Sequence, residues 1–186
     1  TDKRNEAGEQ LLKQSPSNED LRYIIEYTDK RNEAWEQLLK QSPSNEDLRY
    51  IIEYTDKRNE AGEQLLKQSP SNEDLTVLIT NGVMIHEASA VLRERFGAQM
   101  VDEAALIKDI ATTVNNQPGC LQMEKWHCGT SHCIAGWATI LSPIAREIEQ
   151  KTDTKTAGCT VIPSLAYLFF SDNDTVLKKL KEIASI

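Results

Sequence analysis

The chain has 186 residues, of which 39% are hydrophobic and 27% charged, and its net charge is −8. This composition is typical of a soluble protein with an apolar core, and the excess of acidic side chains gives no broad attraction to nucleic acid. The longest apolar run, residues 161–170, is too short to span a bilayer, and no secretion signal is visible, so we expect a cytoplasmic protein that binds neither nucleic acid nor membrane.

A repeat of 27 residues dominates the first part of the chain. The sequence TDKRNEAGEQLLKQSPSNEDLRYIIEY occupies residues 1–27 and recurs at 28–54 with Trp35 in place of Gly8. It begins again at residue 55 and holds to Leu75. Such near-identical copies indicate either a recent duplication or a deliberate construction.

Each unit predicts two short helices, because its apolar residues recur at the spacing of one helical face. In the second copy these residues are Leu48, Ile51 and Ile52 in one helix and Trp35, Leu38 and Leu39 in the other. We expect the leucines and isoleucines to be buried. One pair of helices cannot bury such a face alone, whereas stacked copies can, so the repeats predict a short α-solenoid within an all-α fold.

The starts of these helices can be placed by their capping residues. The helix in SPSNEDLRYIIEY begins either at Ser42, with a proline at the first helical position, or at Ser44, with an aspartate three residues later. Thr28 or Asp29 is expected to cap the other helix of the unit.

The repeat continues in a diverged form over residues 71–97, where Leu75 and Leu78 begin the apolar pattern of the earlier copies. We therefore divide the chain into helical repeats at 1–97 and a helical C-terminal domain at 98–186, joined through a shared helix. The C-terminal domain is expected to cap the array by covering the apolar face of its last repeat.

The first residue, Thr1, falls in the middle of a unit and is not a methionine, so the natural start is expected upstream. Its helix is then without the partner that precedes it in the later copies. An apolar edge with Leu11 and Leu12 is left open, and we expect fraying there or self-association with another copy of the chain.

Two-helix units of this length resemble the short end of the α-solenoid class that includes tetratricopeptide and HEAT arrays, without the consensus residues of either. Near-identical tandem units such as SNEDLRYIIEYTDKRNEAWEQLL are similar to cyanobacterial helical repeats. The resemblance covers roughly the first half of the chain. It implies a fold and carries no catalytic residues.

The alternation of glycine and tryptophan allows two interpretations. Trp35 either fills the core between repeats, leaving shallower packing at Gly8 and Gly62, or is an exposed anchor in a binding groove. We favour the core, because the position shares a face with the leucines.

The second half also predicts helices and no strand. VDEAALIKDIATTVNN has helical spacing and ends at QPG. A short irregular segment follows, after which a helix carrying CIAGWATIL is expected to begin near Thr130 or Ser131, and another at Ser142. KTDTKTAG is expected to be a polar loop, IPSLAYLFF to be buried, and SDND to cap the last helix.

The stretch WHCGTSHCIAGWA, residues 126–138, combines two histidines with two cysteines. These are His127, Cys128, His132 and Cys133. Zinc binds such side chains, but structural zinc sites need four ligands, usually from two closely spaced pairs, and only one pair is present. Cys120 and Cys159 could complete a set only if the fold brings them in.

A nucleophilic cysteine is a second interpretation of this stretch. Cys133 is placed near a helix N-terminus, where backbone N–H groups lower a thiol pKa. The pattern loosely resembles thiol proteases, which need a histidine base, and His86 and His127 are available. No oxyanion donor is identifiable, however, and a disulfide with Cys128 is at odds with a reducing compartment.

The interpretation that we favour is structural, because free cysteine is among the most buried residues. Gly129 and Thr130 would form a tight turn and a helix cap. Cys133, Gly136 and Trp137 would share a packed helix face, with the glycine allowing a neighbouring helix to approach closely.

The same stretch resembles a motif, Trp-x-Cys-Gly-Thr-x-x-Cys-x-Ala-Gly-x-Ala, of uncharacterised bacterial and phage proteins. The resemblance covers roughly residues 100–186 and implies a common fold without a known activity. We therefore expect a protein–protein interaction or scaffold module with a protein partner, no intrinsic catalysis, no cofactor and no metal. The alternative is a small thiol- or metal-dependent enzyme centred on Cys128 and Cys133. The binding residues and the partner stay unassigned.

Overall fold

The computed structural model describes residues 2–185, and helices account for most of them. These residues form twelve α-helices: α1 Asp2–Leu12, α2 Asn18–Tyr27, α3 Arg31–Lys40, α4 Asn45–Tyr54, α5 Arg58–Lys67, α6 Asn72–Thr80, α7 Ile85–Phe96, α8 Glu103–Asn116, α9 Ile134–Leu141, α10 Pro143–Lys151, α11 Thr154–Val161 and α12 Asn173–Ala184. Two 3-10 segments, Pro118–Cys120 and Pro163–Leu168, and one hairpin of strands β1 His127–Cys128 and β2 Ser131–His132 complete the fold. The predicted all-α class is confirmed apart from this hairpin. Within 2–185 no helix has both the length and the apolar character needed to cross a membrane.

The chain divides into two compact units, one ending at Met84 and the other beginning at Ile85. The sequence places the boundary later, just after α7. The difference concerns α7 itself, which packs against α11 and the second 3-10 segment. Arg93 on α7 donates to the Thr160 carbonyl at 3.0 Å and pairs with Glu103 at 2.9 Å, so α7 has its anchoring contacts inside the second unit.

Helices α2, α4 and α6 begin in the same way, because a serine and an aspartate three residues later cap the first turn of each. In α4 the Ser44 hydroxyl accepts a hydrogen bond from the Asp47 N–H at 3.2 Å, and the Asp47 carboxylate accepts one from the Ser44 N–H at 2.9 Å. This reciprocal pair is a capping box. Of the two predicted starts, Ser44 is therefore the cap, while Ser42 lies outside the helix with a φ of 54°.

The predicted caps of α3 are wrong, because Thr28 ends the preceding helix instead. Its hydroxyl donates to the Ile24 carbonyl at 2.8 Å and accepts from the Lys30 N–H at 3.1 Å. The Asp29 N–H donates to the Asn5 side chain at 3.1 Å. Lys30 stands at the cap position of α3 and makes no side-chain capping bond within the described chain, so this helix depends on packing for its start.

The core of the first unit repeats with the sequence. Nine side chains on α2, α4 and α6 are fully buried: Leu21, Ile24, Ile25, Leu48, Ile51, Ile52, Leu75, Leu78 and Ile79. Leu38 is also fully buried, as predicted, but Leu39 is half-buried, as are its equivalents Leu12 and Leu66. The position of Leu39 therefore lies at the edge of the apolar face, and the diverged copy keeps the core pattern of the others.

The glycine and tryptophan of successive units have a packing explanation. Trp35 is half-buried, with the Lys57 ammonium 5.4 Å from its ring centre, so it is neither the core residue that we favoured nor a fully exposed anchor. At Gly62 a Cβ atom would lie 2.6 Å from Val83 Cγ1 and 3.1 Å from Leu78 Cδ2. The packing at Gly62 is therefore tight, not shallow as predicted, because side chains of the diverged unit occupy the space.

Consecutive units are joined by polar side chains that we call the inter-repeat ladder. Asn18 on α2 donates to the Asp47 carboxylate of α4 at 2.8 Å. Arg22 pairs with Glu46 at 2.8 Å and lies 3.4 Å from Asp47, and its guanidinium is 5.5 Å from the Tyr50 ring centre. The step from α4 to α6 repeats the polar contacts at 2.9, 3.0 and 3.4 Å. The same side chains thus fix the register of both steps.

In the second unit, α8 packs against α12 and α9, and α9 packs against α10 and α11. Three predicted features are present. Helix α8 ends before the QPG segment, Ser142 caps α10 with Pro143 in its first turn, and Asp172 of the SDND segment caps α12.

The prediction of a polar loop at KTDTKTAG is wrong, because this segment contributes to the buried helix α11. Asp153 caps this helix by accepting from the Thr156 N–H at 2.8 Å. The Thr160 hydroxyl donates to the Thr156 carbonyl at 2.7 Å, and Phe169 packs on Gly158. A threonine can be buried when its hydroxyl donates to a carbonyl of its own helix. The polar composition of the segment therefore gives no sign that the helix is buried.

The apolar IPSLAYLFF segment is only partly buried. Leu165, Leu168 and Phe169 are buried as predicted, whereas Tyr167 is 50% exposed and Phe170 is 71% exposed. Phe170 still contacts Trp126, at 6.1 Å between ring centres.

We predict that Asp47→Ala lowers the free energy of unfolding by about 2–4 kcal/mol, because it removes a helix cap and leaves the half-buried Asn18 without its acceptor. Asp20→Ala is the matched control: Asp20 has the same capping box but no ladder partner among the described residues, so it should cost clearly less. Urea denaturation of both variants measures the difference. Equal losses would show that the ladder adds no stability.

Candidate functional site

The stretch that combines histidine and cysteine forms a tight hairpin followed by a helix. Strands β1 and β2 place His127 opposite His132, and Gly129 in the turn has a φ of 61°. Helix α9 begins only after the hairpin, so the predicted start near Thr130 or Ser131 is wrong. Strand pairing holds those residues away from the helix.

Gly136 lets the hairpin lie directly on α9. A Cβ atom there would clash with the Trp126 carbonyl oxygen and lie 3.2 Å from His127 Cε1. The Cys133 N–H donates to the same carbonyl at 3.3 Å. The close approach predicted at Gly136 is present, but the neighbour is the hairpin and not a helix.

A carboxylate and two imidazoles form a hydrogen-bonded set that we call the histidine chain: Glu149, His127 and His132. Glu149 Oε1 is 2.8 Å from His127 Nε2, and His127 Nδ1 is 2.8 Å from His132 Nδ1. The Thr154 hydroxyl donates to the same Glu149 oxygen at 2.5 Å. The His132 ring meets the Trp137 ring edge-on at 4.9 Å. Helices α10 and α11 thereby fix the orientation of a hairpin side chain.

The geometry of the histidine chain limits its charge. Only one proton fits between the two Nδ1 atoms, so one ring donates there and the other accepts. If His127 donates at both ring nitrogens it is an imidazolium between Glu149 and a neutral His132. If it donates only to Glu149, then His132 supplies the proton between the rings. One positive charge is accommodated by this arrangement, but two are not.

The surroundings of His132 and Glu149 lower the pKa values of both side chains. Burial, followed by the positive charge that His127 can carry, lowers the pKa of His132. Burial works against ionisation of Glu149, but the hydrogen bonds from Thr154 and His127 outweigh it, so the pKa of this carboxyl lies below its ordinary value. The fold therefore favours a neutral His132 beside an ionised Glu149.

Cys133 is fully buried and caps α9. Its sulfur accepts a hydrogen bond from the Gly136 N–H at 3.3 Å. Burial raises the pKa of the Cys133 thiol and outweighs that hydrogen bond. The helix N-terminus, which could have lowered the pKa of a nucleophile, is therefore not the dominant influence on the pKa of this thiol.

The other three cysteines differ in exposure. Cys128 is exposed on β1, whereas Cys120 and Cys159 are buried, and all four thiols are free. Burial raises the pKa of Cys120 and raises that of Cys159 to about 12. Of the four, only Cys128 is therefore open to reagents in solution.

The residues that the structure describes hold no group of three or more His, Cys, Asp or Glu placed to bind a metal ion. The facing Nδ1 atoms of His127 and His132 are at hydrogen-bond distance, 2.8 Å. Two nitrogens that ligate one zinc ion stand farther apart, because each Zn–N bond is about 2.0–2.1 Å at a tetrahedral angle.

Sequence reasoning found both histidines but missed Glu149 and Thr154. Glu149 lies 22 residues after His127, in a segment with the pattern of an ordinary surface helix. Thr154 lies within the segment predicted as a loop. No local spacing connects either residue to the hairpin, so the sequence contains no signal for this pairing.

A second candidate surface lies on the first unit and recurs with the repeat. We call it the tyrosine ladder: Tyr23, Tyr27, Tyr50 and Tyr54. The ring centres are 5.1 Å apart in the first pair and 5.8 Å apart in the second. Tyr23 and Tyr27 are 43% and 47% exposed, and Arg4 lies 5.9 Å from the Tyr27 ring centre. Tyrosine and arginine are enriched at protein interfaces, so this surface has the composition of a binding site.

Comparisons of the chain with protein-family models, with curated proteins and with solved structures find no match.

We predict that iodoacetamide alkylates the native protein at Cys128 and leaves Cys133 and Cys159 unmodified, because only an exposed thiol can form a reactive thiolate. All four cysteines should react after unfolding. Peptide mapping by mass spectrometry after a short reaction gives the order. Labelling of Cys133 before Cys128 would contradict the structural assignment of Cys133.

We predict that acidification destabilises the protein through the histidine chain. The folded state lowers the pKa of His132, so at a pH below about 6.5 the unfolded chain binds a proton that the folded chain does not bind. The free energy of unfolding therefore decreases as the pH drops through this range. The melting temperature should drop more between about pH 7.5 and about pH 5.5 in the native protein than in His132→Gln. His86→Gln, at an exposed position on α7, is the control and should follow the native protein. Parallel curves for all three would reject the assignment.

Proposed function

We propose that this protein is a protein–protein interaction module whose binding surface lies on its helical repeats, and that it acts without intrinsic catalysis. One observation carries the proposal: a tyrosine and arginine surface recurs every 27 residues on a stack of helices with a fully buried core. A rigid scaffold that presents the same side chains at a constant interval suits an extended or repetitive partner.

The exposure of Tyr23 and Tyr27 supports this proposal, whereas Tyr50 and Tyr54 are half-buried. Large aromatic side chains are normally buried, and those that stay exposed in a group mark interaction sites. An arginine lies beside each of two tyrosines, since Arg4 faces the Tyr27 ring at 5.9 Å and Arg31 donates to the backbone carbonyl of Tyr54 at 3.1 Å. Tyrosine and arginine, together with tryptophan, are enriched among the residues whose replacement by alanine costs most binding energy at interfaces.

The state of the cysteines supports the absence of catalysis and a cytoplasmic location. Cys133 has its sulfur engaged as a helix cap and its pKa raised by burial, which disfavours a thiolate. All four thiols are free, as is usual in a reducing compartment. The net charge of −8 disfavours nucleic acid as the partner.

The alternative function is a small thiol- or metal-dependent enzyme centred on Cys128 and Cys133. The histidine chain favours it, because a carboxylate that orients an imidazole is a recurrent arrangement in acid–base catalysis. The Cys133 sulfur accepts its hydrogen bond from the backbone N–H of Gly136, however, and not from a histidine. Rapid native alkylation at Cys133, or a stoichiometric transition metal in the purified protein, would move this alternative to first place.

A photo-crosslinking experiment tests the interaction function. The photoreactive residue p-benzoylphenylalanine replaces Tyr27 in the full chain, which is irradiated in an extract of the source cells. We expect a discrete protein adduct that disappears when Tyr23→Ala is added, because the neighbouring ring belongs to the same surface. Replacement of Tyr167, which is 50% exposed in the second unit, is the matched control.

Two results would contradict the proposal. One is an adduct from the Tyr167 position with none from Tyr27, which would place binding on the second unit. The other is an adduct from Tyr27 that survives Tyr23→Ala unchanged, which would indicate a nonspecific collision.

A further inference from the structure

A cleft of about 600 Å³ lies in the second unit, between the segment that leads into β1 and the start of α12. Its walls come from two stretches that are distant in sequence, residues 123–124 and residues 169–174. The Met123 N–H donates to the Asn173 side chain at 2.7 Å and joins the two walls. Ligand sites in proteins have volumes of about 300–1,000 Å³, so we call this space the acidic cleft and consider what it can bind.

Phe170 is the exposed aromatic side chain of the acidic cleft. It is 71% exposed, whereas its neighbour Phe169 is 2% exposed. Trp126 supports both rings, with ring centres 6.4 Å from Phe169 and 6.1 Å from Phe170 and with the ring planes close to perpendicular. The Ser171 N–H donates to the Leu168 carbonyl at 3.0 Å and holds the turn that carries Phe170. The Phe170 ring is thus presented to solvent from a fixed base.

Three carboxylates line the same cleft: Glu124, Asp172 and Asp174. No lysine or arginine is among the described residues that line it, and Lys125 is exposed beside Glu124 without being one of them. The N-terminus of α12 carries a partial positive charge, but Asp172 caps it by accepting from the Thr175 N–H at 2.8 Å. Two further full negative charges outweigh what remains of this partial charge, so the cleft attracts cations.

An arginine side chain combines the contacts that the acidic cleft offers. Its planar guanidinium stacks on aromatic rings, is more weakly hydrated than an ammonium group and donates hydrogen bonds in pairs to carboxylates. The cleft is also larger than one such side chain needs, and Met123 and Phe170 add apolar surface to it. In an extended segment, residues two positions apart point in the same direction, so an aliphatic side chain can enter beside the arginine.

We propose that the acidic cleft docks an extended segment of another protein, with an arginine and an aliphatic side chain two residues apart. The guanidinium lies against the Phe170 ring and donates to Glu124 and Asp174, and the aliphatic side chain contacts Met123. The inference goes beyond the proposed function, because the cleft belongs wholly to the second unit and uses no residue of the helical repeats.

A protein segment suits this cleft better than a free small cation does. A small ligand usually has about 70–90% of its surface buried in its site, whereas a cleft whose central ring is 71% exposed encloses far less. A side chain that enters such a cleft is held in addition by the rest of the chain to which it belongs.

A titration followed by nuclear magnetic resonance tests the docking. The probe is the peptide GSLSRSLSG, which has a leucine two positions from the arginine on either side, so that it fits in both chain directions. A matched peptide has citrulline, a neutral group of the same length, in place of the arginine. The nitrogen-15-labelled full chain is titrated with each peptide, and the amide shifts report both the affinity and the place of binding.

We expect saturable shifts at the amides of Met123, Phe170 and Asn173, with binding about tenfold weaker for the citrulline peptide, which has no positive charge. N-acetyl-arginine methylamide should also bind about tenfold more weakly than the peptide, because it lacks the aliphatic side chains.

Variants of the full chain locate the contacts. Phe170→Ala should weaken binding about fivefold, because the ring no longer attracts the cation. Tyr167→Ala is its matched control, since Tyr167 is a 50% exposed ring that does not line the cleft. Glu124→Lys should also weaken binding, whereas Asp109→Lys, which changes the net charge equally at an exposed position of α8, should bind as the native chain does. Amide shifts that stay native outside the cleft show that each variant is folded.

Four results would overturn the proposal. The first is an absence of shifts at the cleft, and the second is equal binding of the arginine and citrulline peptides. An equal loss of affinity in Asp109→Lys and Glu124→Lys would show a general attraction to the acidic chain. Equal affinities for N-acetyl-arginine methylamide and the peptide would make a small cation the occupant. A crosslink at Tyr27 in the repeats stands or falls independently of all four.

Discussion

A buried carboxylate that serves two helices at once is the interaction on which the repeats depend. Asp47 is 1% exposed. It accepts hydrogen bonds from its own cap residue Ser44 and from Asn18 of the preceding unit, with Arg22 beside it. A charge removed from water is tolerated only when hydrogen bonds and an opposite charge replace its hydration. The start of α4 and its attachment to α2 are therefore coupled, since Asp47 takes part in both.

This coupling explains how units of nearly the same sequence acquire different roles. Asp20 and Asp47 have the same neighbours along the chain, yet one is half-exposed and the other is buried. In a stack, the stability of a unit is the sum of its own contacts and those with its neighbours. The first unit keeps its capping box, but no helix of the described residues covers the side that corresponds to the α2-covered side of the second unit.

The hairpin of β1 and β2 shows which features of a site a local sequence pattern predicts and which it does not. His127, His132 and Cys133 could be singled out from the sequence because they lie within seven residues of each other. Their roles could not, because the partner of His127 is Glu149 on α10 and the position of α10 depends on the packing of α9 and α11. The polar composition of KTDTKTAG predicts a loop, although its Thr156, whose carbonyl accepts from the Thr160 hydroxyl, belongs to the buried helix α11. The sequence therefore left open whether the cluster is catalytic, and the structure adds that Cys133 is fully buried.

By itself the sequence determined the repeat helices and their apolar faces, and it offered Ser44 with Asp47 as one of two possible starts of α4. These features involve residues no more than about two turns apart, so spacing and composition suffice to specify them. The tertiary structure alone decided that Asp47 meets Asn18, 29 residues away, and that Glu149 meets His127, 22 residues away. It also decided that Gly62 has no space for a side chain while Ala7 stays exposed. Contacts of this kind depend on which helices pack against each other. The environment of a residue in a stack is set by its neighbours in space, and two units with the same sequence do not have the same neighbours.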